Sequence, residues 1–166
     1  MIVGLTLHSA PAEIYRALVE ATAFGSRVIV ERLEEYGVDV ERVINCGGIA
    51  ARNPMVMQIY ADVLNRPIAI ARSLQTCALG SAIAAAVVAG EKSGGYFEFA
   101  PAIKAMAGVQ PKIYSPDPMR AGVYEKLFRL YRKVHDAFGI AGHKADLSSV
   151  MKDLLAIRDS VVQKGS

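Results

Sequence analysis

The sequence has few of the residues that mark specialised classes of protein. Only two of its 166 residues are cysteine, and they show no paired spacing of the kind that binds zinc. Cys46 and Cys77 lie among apolar residues, which predicts buried free thiols in a reducing compartment. No basic segment precedes the apolar start of the chain, so a secretory signal peptide is not indicated. We therefore expect a cytoplasmic protein.

Charge is sparse as well. Charged residues make up 21% of the chain and the net charge is +3, with acidic residues scattered among the basic ones. No basic stripe could follow a phosphate backbone, so nucleic acid is not an expected partner. The uncharged stretch 73–90 approaches the length of a membrane span, but Gln75, Thr76, Gly80 and Ser81 interrupt it. We predict a turn and a helix buried in a core there, and no membrane contact.

What is present describes one globular domain. The apolar content of 52% suits a chain of this length, which can bury about two-thirds of its unfolded surface. Up to Gly90, short apolar runs alternate with helical spacing. This pattern predicts, in order, strand 1–7, helix 11–37, strand 42–46, helix 53–65, strand 66–71 and helix 78–89. Such alternation indicates α/β layering.

Several residues suit helix ends. Ser9 is predicted to start the first long helix and Gly37 to end it, while Asn53 followed by Pro54 suits the start of the second. Thr76 is the predicted N-cap of the third. The expected apolar face of the first helix comprises Ile14, Leu18, Ala21, Val28 and Leu33. Gly25 within that helix predicts a close neighbour.

After Gly90 the pattern changes. It predicts a glycine-containing loop, a short helix 101–107, an extended proline-containing segment 110–119, a helix 122–138 and a helix 146–163. The apolar face of helix 122–138 would carry Tyr124, Leu127, Phe128, Tyr131 and Val134. We divide the chain into an α/β core, residues 1–90, and a loop plus helical extension of the same domain, residues 91–166.

A pair of glycines, Gly47 and Gly48, stands between a predicted strand and a helix. Glycine lets the backbone approach a ligand closely, and a helix start offers unpaired N–H groups. Ligands of open α/β sheets lie beyond the carboxyl ends of strands, so this turn suits a nucleotide. It is neither a GxGxxG nor a Walker motif. On the residues alone, a tight turn that needs small residues for packing explains it equally well.

Three segments together resemble the C-terminal half of the FGGY family of carbohydrate kinases. They are GLTLHSAPAEIYRALVEATAF, NCGGIAARNPMVMQIYADVLNRPI and CALGSAIAAAVVAG, in family order over roughly residues 1–90. The second segment and the tail YSPDPMRAGVYEKLFRLYRKVHDAF are closest to the branch that phosphorylates L-ribulose to L-ribulose 5-phosphate. The resemblance implies part of an RNase H-like (actin-like ATPase) fold: an α/β domain with a short sheet flanked by helices and a helical C-terminal extension.

The resemblance also implies ATP with Mg²⁺ in a cleft between two domains, with the adenosine resting on the strand–Gly-Gly–helix element. Residue by residue, this implies that the nucleotide lies along Gly47, Gly48, Ile49, Ala50, Ala51 and Arg52, with Asn53 capping the adjacent helix. Arg52 could stack on the base or face solvent. Gln58 is a further candidate, with an ordinary surface role as its alternative. Residues 78–82, ALGSA, would pack behind the nucleotide strands.

The family's catalytic aspartate and phosphate-binding segment match nothing in this chain. We expect its carboxylates to lie on solvated faces: Asp39, Glu41, Asp62, Asp117, Asp136, Asp146 and Asp153. His8, His135 and His143 have no evident partner, and His135 and Asp136 should point apart. We therefore expect no catalytic residue and no metal ligand here, Mg²⁺ being held through phosphates and by the remainder of the enzyme. No kinase turnover is expected from the chain alone.

The resemblance further implies an N-terminal sugar-binding domain as a partner. If strands that would pair with the segment Val3–Leu7 are missing, its edge is unpaired and predicts self-association into a homo-oligomer. Two other functions stay open. One is a kinase for another pentulose or a sugar alcohol. The other is a stand-alone, non-catalytic nucleotide-binding or dimerisation module.

Overall fold

The computed structural model describes residues 1–163. It contains seven α-helices in these residues: α1 Pro11–Glu35, α2 Gly48–Arg52, α3 Pro54–Leu64, α4 Thr76–Ala89, α5 Phe99–Met106, α6 Pro118–Gly139 and α7 Val150–Val162. Three strands, β1 Val43–Asn45, β2 Ile68–Ala71 and β3 Val109–Tyr114, form one sheet in the order β1-β2-β3. β1 and β2 are parallel, and β3 is antiparallel to β2.

The chain divides into two compact units. Unit 1 comprises Met1–Val38, Asp62–Asn65 and Pro116–Ser166, and therefore holds α1, α6 and α7. Unit 2 comprises Asp39–Ala61 and Arg66–Ser115, and holds the sheet with α2, α4, α5 and most of α3.

An aromatic cluster forms the core of unit 1. The Phe24 ring on α1 lies 6.1, 5.9 and 5.3 Å from the rings of Tyr124, Phe128 and Tyr131 on α6. A Cβ on Gly25 would stand 4.0 Å from the Tyr131 hydroxyl, an ordinary van der Waals distance, so the approach of the two helices does not require glycine. The close packing predicted at Gly25 is therefore not found.

The ends of α1 follow from local hydrogen bonds. The Ala10 N–H donates to the Glu13 carboxylate at 2.8 Å, so Ala10 is the N-cap and the prediction of Ser9 is wrong. The Ser9 hydroxyl instead accepts from the Thr6 N–H. At the other end Gly37 has φ +81° and donates to the Glu34 carbonyl, which is the left-handed stop predicted for it.

Isoleucines of β2 form the core of unit 2. Ile68 and Ile70 are buried on the sheet, together with Val56, Met57 and Ile59 of α3. Asn53 caps α3, because its Oδ1 accepts from the Val56 N–H at 3.2 Å. The predicted Asn-Pro helix start is thus confirmed.

The predicted strand at residues 1–7 is wrong. Residues 1–6 have no regular structure and a turn follows at residues 7 and 8. A strand needs a partner for its backbone N–H and C=O groups, and none of the described strands pairs with this segment. The unpaired β-edge on which we based self-association is therefore absent from the described structure.

Other boundaries shift for physical reasons. Thr76 is the first residue of α4 and Gln75 its N-cap, contrary to the prediction. Residues 110–114 of the segment that was predicted to be extended form β3, whereas Pro118 and Met119 belong to α6. That helix starts early because the Asp117 carboxylate accepts from the Met119 and Arg120 N–H groups. The last helix starts at Val150, later than predicted.

Burial is the property that the apolar sequence predicts least well. Cys46 and Cys77 are both exposed, so the prediction of buried thiols is wrong. Ile83 is the one buried residue of α4, contrary to the prediction of a helix enclosed by core. Leu18 and Leu33 on the predicted apolar face of α1 are exposed. The division at residue 90 stays a prediction.

Candidate nucleotide site

The turn after β1 begins a helix earlier than the sequence predicts. Gly47 has φ +89°, a conformation that favours glycine, and it caps α2, which starts at Gly48. The Gly47 carbonyl accepts from the Ala51 N–H at 3.2 Å, closing the first helical turn. The five-residue α2 therefore stands between the glycines and α3.

The glycine backbone is open. A Cβ placed on Gly47 or Gly48 would meet no atom within 4 Å. The next side chain, Ile49, is 71% exposed, whereas Ala50 is buried. The turn thus presents two glycines and one apolar side chain outward, a surface that suits the flat, partly apolar body of a nucleoside. This openness argues against the alternative that the glycines serve only to relieve tight packing.

Arg52 ends α2 and is exposed, and it pairs with no carboxylate in the part of the chain that the structure describes. Ala51 is half-buried beside it. Gln58, one turn into α3, is half-buried and its Nε2 donates to the Ser115 carbonyl at 2.8 Å. Gln58 therefore fixes α3 to the segment after β3. Whether it also contacts a ligand stays a prediction.

The second strand brings a residue that the sequence analysis missed. Arg72 directly follows β2, the strand that pairs in parallel with β1, and its Nη2 donates to the Ala107 carbonyl just before β3. Both residues lie in unit 2. A basic residue directly after a strand that neighbours the glycine turn was the available signal. It was overlooked because a short apolar run does not reveal which strands pair.

Acidic residues are almost absent from this part of the sequence. Between Val43 and Gly90 the sole carboxylate is Asp62. Asp62 is buried, contrary to the prediction of a solvated position, and its Oδ1 accepts from the Asp117 N–H at 2.8 Å. Asp62 therefore stabilises the start of α6. The sequence does not reveal this role, because the hydrogen-bond partner of Asp62 lies 55 positions away.

Other titratable groups lie in unit 1. His135 and Asp136 were predicted to point apart, but His135 Nδ1 lies 2.9 Å from Asp136 Oδ1. This contact, with Arg132 close by, lowers the pKa of the Asp136 carboxyl. Burial and a hydrogen bond to Glu20 raise the pKa of Tyr124 to about 12. The Asp136 shift arises from contacts within α6, whereas the Tyr124 shift arises from burial and from its pairing with Glu20 of α1.

The described residues offer no evident metal centre. No three side chains of His, Cys, Asp or Glu gather within residues 1–163. Over the same residues, no helix is both long and apolar enough to cross a membrane.

Comparison with known proteins decides the family. Residues 1–89 match the model of the C-terminal domain of the FGGY family of carbohydrate kinases. The chain belongs to the FGGY family. It is 48% identical over 139 residues to a ribulokinase of Geobacillus thermodenitrificans, a match that covers 84% of this chain and 25% of that one. A ribulokinase of Halalkalibacterium halodurans is 45% identical over 158 residues, covering 95% and 27%.

Solved structures of other FGGY kinases share the fold. A ligand-bound xylulose kinase from Lactobacillus acidophilus superposes with a TM-score of 0.72 and 25% identity, covering 85% of this chain and 27% of that one. A xylulose kinase from Rhodospirillum rubrum gives 0.68 and 29%, covering 82% and 27%. The predicted α/β fold, part of an actin-like ATPase domain, is confirmed. The chain spans about a quarter of the length of these relatives.

Proposed function

We propose that this chain is the ATP-side domain of a kinase that phosphorylates L-ribulose to L-ribulose 5-phosphate. The observation that carries this proposal is identity of 45–48% to relatives named ribulokinase, against 25–29% to the xylulose kinases that share the fold. A kinase for another pentulose or a sugar alcohol is the second candidate. It draws support from structural likeness to the two xylulose kinases, at 25–29% identity.

In this proposal the adenosine lies over the glycine turn, along the residues Gly47, Gly48, Ile49, Ala50, Ala51, Arg52 and Asn53, with Gln58 behind them. The open space above the two glycines and the exposed Ile49 support the placement. Phosphoryl transfer depends on positioning and on stabilising charge around the phosphates. Mg²⁺ would be bound mainly through the phosphates and by the remainder of the enzyme. The sugar, the remainder of the cleft and the catalytic base would come from the N-terminal domain of the parent enzyme.

A calorimetric titration of MgADP into the chain tests this site. We expect binding near millimolar strength, about −4 kcal/mol, and its loss in Gly48→Val. The new side chain would enter open space, so it should block the ligand without a collision inside the protein. Gly80→Val on α4, where a Cβ also meets nothing within 4 Å, is the matched control and should bind like the unchanged chain.

Two outcomes would contradict this proposal. One is equal binding by the Gly48→Val variant and the unchanged chain. The other is no binding by the unchanged chain at several times the expected dissociation constant, which would mean that these residues do not form a nucleotide site without the remainder of the enzyme. A coupled assay with MgATP and L-ribulose should show no turnover by the chain alone.

We also propose that the chain forms homo-oligomers, although the unpaired strand edge predicted from the sequence is no longer the reason. The exposed apolar residues Ile2, Val3, Leu5 and Leu7 replace the predicted strand edge as the reason to expect it. Light scattering that shows a monomer at all concentrations would contradict it.

A further inference from the structure

An apolar groove of about 700 Å³ opens on unit 1 between α1 and α6. Both helices line it, and Met1–Val3 and Leu154 of α7 border it as well. Its walls include Leu18 of α1 and Phe138 of α6, which are exposed to solvent although they are apolar. Protein interiors leave few voids larger than a water molecule, so a space of this size is a surface that an apolar side chain from outside can enter.

A turn at residues 6–9, which we call the Leu7 turn, stands next to this groove. The Thr6 N–H donates to the Ser9 hydroxyl at 2.9 Å, and the Ser9 N–H donates to the Thr6 carbonyl at 3.1 Å. Leu7 is fully exposed and does not line the groove of its own chain. Val3, which does line it, is at most about 14 Å away along the chain. Unit 1 therefore carries an apolar knob and an apolar groove on adjoining surfaces.

Polar groups in the groove and on the turn complement each other. Glu20 of α1 lines the groove, and Arg16 Nε and the Tyr124 hydroxyl donate to the same oxygen of its carboxylate, Oε1, at 2.8 and 2.7 Å. The other oxygen, Oε2, has no partner in residues 1–163. The imidazole of His8, which follows Leu7, is exposed and likewise has no partner over the same residues. An entering Leu7 would thus bring a hydrogen-bond donor toward a carboxylate oxygen that can accept.

We infer that the groove binds the Leu7 turn of a second copy of this chain, so that two copies exchange their turns about a twofold axis. The inference rests on the homo-oligomer proposed above and names the surfaces that form it. A twofold interface requires each subunit to present both halves of the contact, and here the knob and the groove adjoin on one unit. The exchange removes from water the side chain of Leu7 and the walls of the groove in both copies, which favours association.

Light scattering on the full chain tests the inference with a pair of opposite charges. We expect the unchanged chain to form a dimer. Leu7→Lys places a charge on the knob and Leu18→Asp places one on the groove wall, and each variant by itself should dimerise at least about tenfold more weakly. An equimolar mixture of the two should restore the dimer, because one contact then joins the two unchanged leucines and the other joins lysine to aspartate.

Ile29→Asp is the matched control, because Ile29 is an exposed apolar residue of α1 that does not line the groove. It should dimerise like the unchanged chain, and circular dichroism would verify that every variant is folded. Dimers that persist in both Leu7→Lys and Leu18→Asp, a mixture that stays monomeric, or a mass above two chains would overturn this inference alone. An unchanged chain that is monomeric at all concentrations would overturn the proposed homo-oligomer as well, whereas the MgADP titration reports on the nucleotide site independently.

Discussion

Arginines of unit 1 face carboxylates, whereas two arginines of unit 2 do not. Arg27 pairs with Glu31 and Glu125 at 2.9 and 2.6 Å, and Arg132 pairs with Glu31 at 3.0 Å. In unit 2, Arg52 and Arg72 pair with no carboxylate of the described residues. In the first case the charges join α1 to α6. In the second they remain available at the edge where the glycine turn lies.

The two units also differ in what glycine does. In unit 1, Gly37 has a positive φ and ends α1 with a hydrogen bond to the Glu34 carbonyl, so it serves the fold itself. In unit 2, the space above Gly47 and Gly48 is empty of protein atoms within 4 Å. Open space alone does not mark a ligand site, since Gly37, Gly80 and Gly122 also have no atom within 4 Å of a Cβ position. At Gly47 and Gly48 the open space coincides with the carboxyl end of a strand.

The largest effect should come from the aromatic core of unit 1. Phe24→Ala removes a buried ring that contacts three others, and we expect it to lower the free energy of unfolding by about 3–5 kcal/mol. Phe97→Ala in unit 2 removes a ring that is 66% exposed and should change it by less than about 0.5 kcal/mol. Urea unfolding measures both, and equal losses would contradict the difference in packing.

A smaller effect on stability is expected when alanine replaces a glycine, and its sign should differ between unit 2 and unit 1. A Cβ on Gly95 would collide with the Ala86 carbonyl, which accepts from the Tyr96 N–H, so Gly95→Ala should destabilise by roughly 1–3 kcal/mol. Gly122→Ala on α6 meets no atom within 4 Å and should stabilise by up to about 1 kcal/mol. Thermal unfolding of both variants tests the pair, and a stable Gly95→Ala would show that this turn can rearrange.

The smallest expected effect is the loss, at low pH, of the stability that Glu125 contributes. A hydrogen bond from Arg27, with Arg129 second, lowers the pKa of the Glu125 carboxyl. A lowered pKa in the folded state contributes stability above the ordinary glutamate value, about 4.3, and this contribution is lost as the pH falls through the folded value. Because Glu125 is partly exposed, Glu125→Gln should cost less than about 1 kcal/mol at pH 7.

Urea midpoints from pH 7 to pH 2 check this sign. The difference between the unchanged chain and Glu125→Gln should shrink as the pH falls. Glu98→Gln in unit 2, whose carboxylate has no ion pair within residues 1–163, should show no such trend. A difference that grows with acid would contradict the pairing of Glu125 with Arg27.

Local signals predicted the middle of the chain well. Asn53 followed by Pro54 starts α3, Gly37 stops α1, and the turn at Gly47 follows a strand as expected. These features depend on hydrogen bonds between residues a few positions apart, so the printed sequence contains both partners. The site residues could be carried over from the family for the same reason, since they are contiguous from Gly47 to Asn53.

Features that depend on distant partners could not be predicted this way. Residues 1–7 have the composition of a strand but no described strand pairs with them, and Cys46 and Cys77 are exposed despite apolar neighbours in sequence. Asp62 is buried because the Asp117 N–H, 55 positions away, donates to it. Burial and pairing are properties of the assembled chain, and apolar sequence alone does not fix them.

The sequence by itself therefore determined the family, the helix caps of the central segment and the contiguous glycine turn, because each depends on residues that are close together in the chain. Tertiary structure alone decided that β1 pairs in parallel with β2, that Gly108 lies under the guanidinium of Arg72, and that α1 and α6 pair their charges. The physical reason is that strand register and long-range hydrogen bonds arise only when the chain packs.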